Sequence, residues 1–256
     1  MHEESYQHKG FTVVIGMEED SEFADPRDTD NLGTMVCWHP DYVLGDEQIS
    51  GSRGAVKTAF ETEKGRTDFE SMEQIERYLR LVRRAVVIMP LYLLDHSGIS
   101  MSVGSNTVGR GDTACGGSDS WGNARGWDTT MVGFIYTTAE RIEELCGKPR
   151  EKSHAFYCPA DWKGTPEAWI ADQLRSEVTY YDAWLRGSVY YWAVKDADGE
   201  TLESCGGYLI ASEEDEKYLR TEAESTAKGY AEERDKERRQ LAGAGYRGPG
   251  KVVMLV

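Results

Sequence analysis

Residues 30–46 read DNLGTMVCWHPDYVLGD, and the order of residue types in them shapes the chain around them. A polar approach, Asp30 and Asn31, passes Gly33 into a short apolar run that closes on Pro40, Asp41, Tyr42, Gly45 and Asp46. An apolar run bounded by such residues reads as a strand. Side chains alternate faces along a strand, so Met35, Cys37 and His39 point one way while Thr34, Val36 and Trp38 point the other. A strand rise of ~3.3 Å per residue sets the Cα atoms of Cys37 and His39 about 7 Å apart on one face. A thiol and an imidazole so placed are a candidate functional pair.

Outward from this stretch, residues 11–16 (FTVVIG) read as a strand and residues 47–67, mixing Gly, Ser, Lys and Thr, as loop. Met72, Ile75, Leu79, Val82 and Val86 recur at helical spacing, which predicts a helix over 69–85. A buried strand over 86–92, interrupted by Pro90, and a second over 99–103 follow. Residues 104–126 are glycine-rich, and a loop that long inside a domain is usually functional. Trp127-Asp128 opens another strand, residues 131–136. Thr137 or Thr138 caps a helix over 139–146, and Thr165-Pro166 starts a longer one to Leu185. Asp196-Ala-Asp-Gly199 sits between two strand-like runs as the turn of a hairpin. Residues 213–240 form a strongly charged helix, with Tyr218, Leu219 and Tyr230 on its more apolar side. These elements predict an α+β fold: a mixed or antiparallel sheet with flanking helices. The expected organisation is one core domain, 1–210, with the charged helix and Gly-rich tail, 211–256, as an appendage.

Composition narrows the function classes. The chain has 256 residues, 39% of them hydrophobic, with seven Trp and fourteen Tyr, enough to build a folded core. A formal net charge of −16 opposes non-specific binding to nucleic acid or to anionic membranes. The longest apolar run, residues 85–94, is about half of what a membrane span needs. Five scattered cysteines without a Cys-x-x-Cys pair, and an N-terminus without a signal-peptide pattern, predict reduced thiols in a cytoplasm.

Four segments in order carry a resemblance: residues 30–46; DHSGIS at 95–100; WDTTMVGFIY at 127–136; and TYYDAWLRGSVY at 179–190. Together they resemble a widespread family of uncharacterised proteins carried by bacteriophages and their host genomes. Pro40 and Asp41 stand where that family tends to have basic residues, the 104–126 stretch is longer, and the tail after Gly245 differs. The resemblance implies a phage accessory protein acting in the host bacterial cytoplasm. It brings no agreed reaction, so it assigns no catalytic residue.

The candidate chemistry centres on few residues. Cys37 with His39 could form a nucleophile–base pair, or ligate a metal with Asp95, His96 or Cys115; the competing reading is a buried core cysteine. Asp95 and His96 alternate faces, so one of them shares a site with Cys37 and His39. Asp128 is a further candidate acid, or a cap at a strand start. Arg77, Arg80 and Arg84 form a cationic helix stripe that Glu73 and Glu76 can neutralise.

No cofactor motif is present and no metal is expected. The expected function is a non-enzymatic accessory protein that binds a host protein or a small nucleotide signal, as in counter-defence, and self-association is compatible with it. A Cys/His-dependent hydrolase or phosphodiesterase is one alternative, and an acidic nucleic-acid mimic is the other. For a nucleotide, residues 104–126 would lie over the strand ends, Trp38 or Trp127 would stack on the base, and Arg110 or Arg125 would reach the phosphate.

Overall fold

A computed structural model describes residues 3–18, 25–39, 41–48, 50–52, 55–62, 65–69, 72–95, 98–104, 129–149 and 154–243. The fold is α+β, and the chain divides into two units, residues 1–23 with 187–256, and residues 24–186.

The first unit is built from chain ends. Strands β1 (Glu4–His8) and β2 (Phe11–Met17) form a hairpin with a two-residue turn at Lys9 and Gly10. Numbering in chain order, β11 (Val189–Lys195) and β12 (Thr201–Leu209) form the second hairpin at the expected Asp-Gly turn. β11 pairs with β2, which gives an antiparallel sheet of order β1-β2-β11-β12. Helix α4 (Glu213–Gly243) lies against it. Leu219, Ala223, Ala227 and Ala231 recur every fourth residue and are buried, packed with Phe11, Val13, Ile15, Tyr190, Trp192 and Val194.

The two units divide the chain at residues 23 and 186, whereas the expected boundary was at residue 210. Helix α4 packs on the sheet through Leu219 and a stripe of alanines, whose small side chains let a helix approach a sheet closely. Tyr218, expected on the apolar side, is 60% exposed, whereas Leu219 is buried.

The second unit holds a five-stranded sheet of order β4-β3-β10-β8-β9. Its strands are β3 (Thr34–Cys37), β4 (Glu47–Gln48), β8 (Ala85–Asp95), β9 (Ile99–Val103) and β10 (Thr129–Thr138). β3 and β4 are parallel and every other pair is antiparallel. Helix α3 (Pro166–Leu185) and helix α2 (Ala139–Cys146) contribute Ile170, Leu174, Val178, Tyr181 and Ile142 to one face, against Met35, Cys37, Leu91, Leu93 and Ile135. Both helices start where the sequence puts them. The Thr138 and Thr165 hydroxyls accept from the amides of Arg141 and Ala168, each at 3.2 Å. Helix α1 (Met72–Leu81) covers the other face with Ile75 and Leu79, against Val36, Tyr92 and Phe134.

Three expectations fail here. Helix α1 stops at Leu81 rather than continuing to 85. Arg84 takes a positive φ of 56°, and Val82, expected in the buried stripe, is 59% exposed. β8 then runs unbroken through Pro90. Residues 47–67, read as loop, hold β4 and three strands of a separate antiparallel sheet, β5 (Ser50–Ser52), β6 (Ala55–Thr62) and β7 (Gly65–Phe69). The signal was in AVKTAFET, where Val56, Thr58, Phe60 and Thr62 alternate with Lys57, Ala59 and Glu61.

Candidate functional site

Among the described residues the approach to β3 has no strand partner for its backbone, and side chains from distant elements supply one. Glu177 of α3 accepts from the amides of Leu32 at 2.6 Å and Gly33 at 3.1 Å. Thr137 donates to the Leu32 carbonyl at 2.7 Å, and Arg141 to the Asn31 carbonyl at 2.9 Å. Arg27, its side chain 4% exposed, sits in the middle. Its guanidinium donates to both carboxylate oxygens of Asp46 (3.0 and 2.6 Å), to Glu177 at 3.0 Å and to the Gly33 carbonyl at 2.6 Å. Asp46 also accepts the Met35 amide at 2.6 Å. Burial opposes the charge on Arg27, but the bonds to Asp46 and Glu177 outweigh it and raise its pKa.

Two glycines fit this knot by size and conformation. A Cβ at Gly33 would lie 2.7 Å from Ile135 and Leu174. Gly45 has φ +66°, and a Cβ there would meet that of Met35 at 2.7 Å. The Gly45 amide donates to the Tyr181 hydroxyl at 2.9 Å. Asp182, next along α3, accepts from the Ser100 hydroxyl at 2.8 Å and the Met101 amide at 2.7 Å. The quoted motif residues are therefore largely architectural.

Cys37 belongs to that interior. It is fully buried, and burial pushes its thiol up to about 12. Such a surrounding holds the thiol in its protonated form and seals it among apolar side chains, the opposite of the exposed, electropositive setting that activates a cysteine. His39 turns elsewhere. Its Nδ1 accepts the Asp41 amide at 3.1 Å, and its ring stacks on Tyr42 at 4.7 Å between centroids. The Tyr42 hydroxyl donates to Asp95 at 3.3 Å. Burial first, then the Asp95 charge, raises the Tyr42 pKa.

Topology explains how His39 and Asp95 come together. β3 and β8 both run antiparallel to the β10 between them, so their C-terminal ends emerge at one edge of the sheet. The resulting shelf carries His39, Asp41, Tyr42 and Asp95, with Val43 beside them 85% exposed. Tyr42 and Val43 were missed as site residues; their sequence signal is a large apolar pair after a Pro-Asp turn.

The remaining candidates divide differently. Trp38 sits on the opposite face, packed edge-on against Phe134 at 6.0 Å, so it shares no surface with the His39 ring stack. His96, Arg110, Cys115, Arg125, Trp127 and Asp128 lie outside the described residues, as does most of 104–126. The cationic stripe is partly neutralised: Arg80 pairs with Glu76 at 2.9 Å and Arg84 lies 3.8 Å from Glu140.

The three comparisons with known proteins return nothing. No family model, curated protein or solved structure matches the chain. The site therefore has to be read from its own geometry. Among the described residues, no three His, Cys, Asp or Glu side chains meet closely enough to hold a metal. A thiol–imidazole contact exists elsewhere: Cys158 Sγ lies 3.6 Å from His154 Nδ1, with Cys158 buried. Among the described residues, no helix is long and apolar enough to cross a membrane.

Proposed function

We propose that this chain is a non-enzymatic binding protein that engages a basic segment of a partner protein at the sheet-end shelf. The observation that carries this reading is the group of His39, Tyr42 and Asp95 at one sheet edge, with Val43 exposed next to it. Stacked rings attract a guanidinium or ammonium group over their faces. Asp95 and Asp41 are exposed carboxylates that can accept its hydrogen bonds, while Val43 offers an apolar contact that an isolated ion would not need.

The chain's net charge of −16 would steer a basic partner inward. The phage resemblance of the four segments supports a host protein as that partner. The nucleotide alternative draws on Arg110, Arg125 and Trp127, none of which contributes to the argument from the shelf. The mimic alternative needs rows of carboxylates, whereas α4 interleaves its acidic residues with Lys217, Arg220, Lys228 and Arg234.

The test is native mass spectrometry of the protein purified from a bacterial host, for the wild-type chain and for Asp95→Asn, Val43→Asp and Tyr42→Ala. The expected result is a stoichiometric protein partner on the wild type that is lost from Asp95→Asn and Val43→Asp while their melting temperatures hold. A retained nucleotide would replace this reading with the small-ligand one. A wild-type chain that retains nothing would reject both.

A further inference from the structure

Three side chains of the shelf touch in sequence, from the chain leaving β3 to the last residue of β8. The rings of His39 and Tyr42 stack as near-parallel plates, 28° apart in plane and 4.7 Å between centroids. The Tyr42 hydroxyl donates to Asp95 Oδ1 at 3.3 Å. A phenol oxygen that has given its proton still accepts through its lone pairs, so this end of the row sets two kinds of acceptor side by side. At the other end His39 Nδ1 accepts the Asp41 amide at 3.1 Å. A ring nitrogen that accepts carries no proton, which leaves the imidazole without the charge that would repel a cation.

Either basic side chain would feel the charge of Asp95, but the rest of the row sorts them. An ammonium is a compact, strongly hydrated point charge, with nothing flat to lay on a ring. A guanidinium is planar and more weakly hydrated, stacks on aromatic faces, and projects its N–H donors as a rigid fork in that same plane. It can therefore lie along the ring stack and present one edge to neighbouring oxygen acceptors. Its three-carbon stem is apolar and gains from cover. Val43, 85% exposed and next to Tyr42, is placed to give it. The row is reachable: Asp95 is exposed, and His39 and Tyr42 are half-buried.

We infer that the shelf selects arginine over lysine: the partner lays one arginine along the His39–Tyr42 stack, turns the guanidinium edge to Asp95 and the Tyr42 oxygen, and runs the stem over Val43. This rests on the reading of the shelf as a docking site for a basic segment, and it names the side chain that the site takes. The residues then divide the work. Asp95 supplies a charge that any cation feels. His39 supplies a flat face, and Tyr42 a flat face and a second acceptor, which only a planar fork can use together.

The experiment pans a random display library of peptides of about nine residues against the full chain. Each recovered peptide is then measured by fluorescence anisotropy with its arginine kept, changed to lysine, or changed to citrulline, which is planar but uncharged. The expected peptides carry arginine, and either change should weaken them roughly tenfold or more, through loss of the fork or of the charge. Asp95→Asn should weaken the arginine and lysine forms alike. Tyr42→Phe, which keeps the ring and removes the oxygen, should narrow the gap between those forms, and His39→Ala should narrow it too. Melting temperatures confirm that the variants fold. Lysine forms that bind as tightly as arginine forms would overturn the inference and leave the basic-segment reading standing. So would a gap that Tyr42→Phe and His39→Ala both leave unchanged. A library that enriches no basic peptide would overturn both, as would basic peptides whose binding ignores Asp95→Asn and Val43→Asp.

Discussion

Asp46 and Asp95 are both carboxylates beside strands of the same sheet, and their surroundings set them to different work. Asp46 takes two hydrogen bonds from Arg27 and one from the Met35 amide, the shortest at 2.6 Å, with its side chain 23% exposed. Asp95 is exposed and receives the Tyr42 hydroxyl at 3.3 Å. One carboxylate is consumed by the fold and the other is available to a partner. The contrast runs through the 30–46 stretch: residues 31–37 and 44–46 are held from within, while His39 and residues 41–43 turn outward. A motif rich in Gly, Cys and Asp therefore need not mark a reaction, because a buried backbone without strand partners needs the same residues.

The strongest way to break the comparison is to remove the cation at its inner end. Arg27→Ala leaves Asp46, Glu177 and the Gly33 carbonyl without their shared donor, and breaking a buried pair in this way costs about 3–5 kcal/mol. Urea denaturation should show that loss. A cost under ~1 kcal/mol, the range of surface pairs, would mean that solvent holds the two carboxylates. Deleting residues 213–256 should also be severe, but in the other unit, since it uncovers Val13, Ile15, Trp192 and Val194. Aggregation or dye-binding molten behaviour is expected, and a soluble, cooperative truncation would return α4 to the status of an appendage.

Gly33→Ala tests the packing beside the knot. With Ile135 and Leu174 at 2.7 Å from the added methyl, a loss of roughly 1–3 kcal/mol is expected from overpacking. The outer end should respond weakly: Asp95→Asn should shift stability by about 0.5 kcal/mol or less, as surface substitutions do. If it matches Arg27→Ala, the shelf is structural after all.

Much of this was legible, and the reasons for the rest are physical. Helix starts at Thr138 and Thr165 and the Asp196–Gly199 turn announce themselves within a few residues, because caps and turns are local chemistry. Arg27 and Glu177 are 150 residues apart, and neither carries a local signal that it meets the other. The alanine stripe of α4 hid because it lacks bulk, and its charged face dominated the composition. At the site, His39 and Asp95 were legible as strand ends and Trp38 lies on the face that alternation gives it, with Val36 and Phe134, but Tyr42 and Val43 were overlooked. Alternation within a strand fixes which residues share a face; which face meets solvent is decided by helices elsewhere in the chain.

Cys37 gives a finer test through pH. Burial pushes its folded thiol up to about 12, above the ordinary thiol range that applies once the chain unfolds. The folded chain therefore keeps a proton that the unfolded chain sheds. The stability this contributes is complete below the ordinary thiol pKa and declines as pH rises toward 12. Cys37→Val should flatten that alkaline limb while leaving the acid limb unchanged.

The most direct measurement of whether the inner part of the stretch is architecture is alkylation of the native protein with iodoacetamide, followed by peptide mapping. Cys205, which is exposed, supplies the internal reference. At pH 8 the account predicts prompt modification at Cys205 and none at Cys37 until the protein is unfolded. Prompt alkylation of Cys37 in the folded chain, with a rate that titrates below pH 8 and falls in His39→Ala, would contradict it and restore a thiolate–imidazole pair.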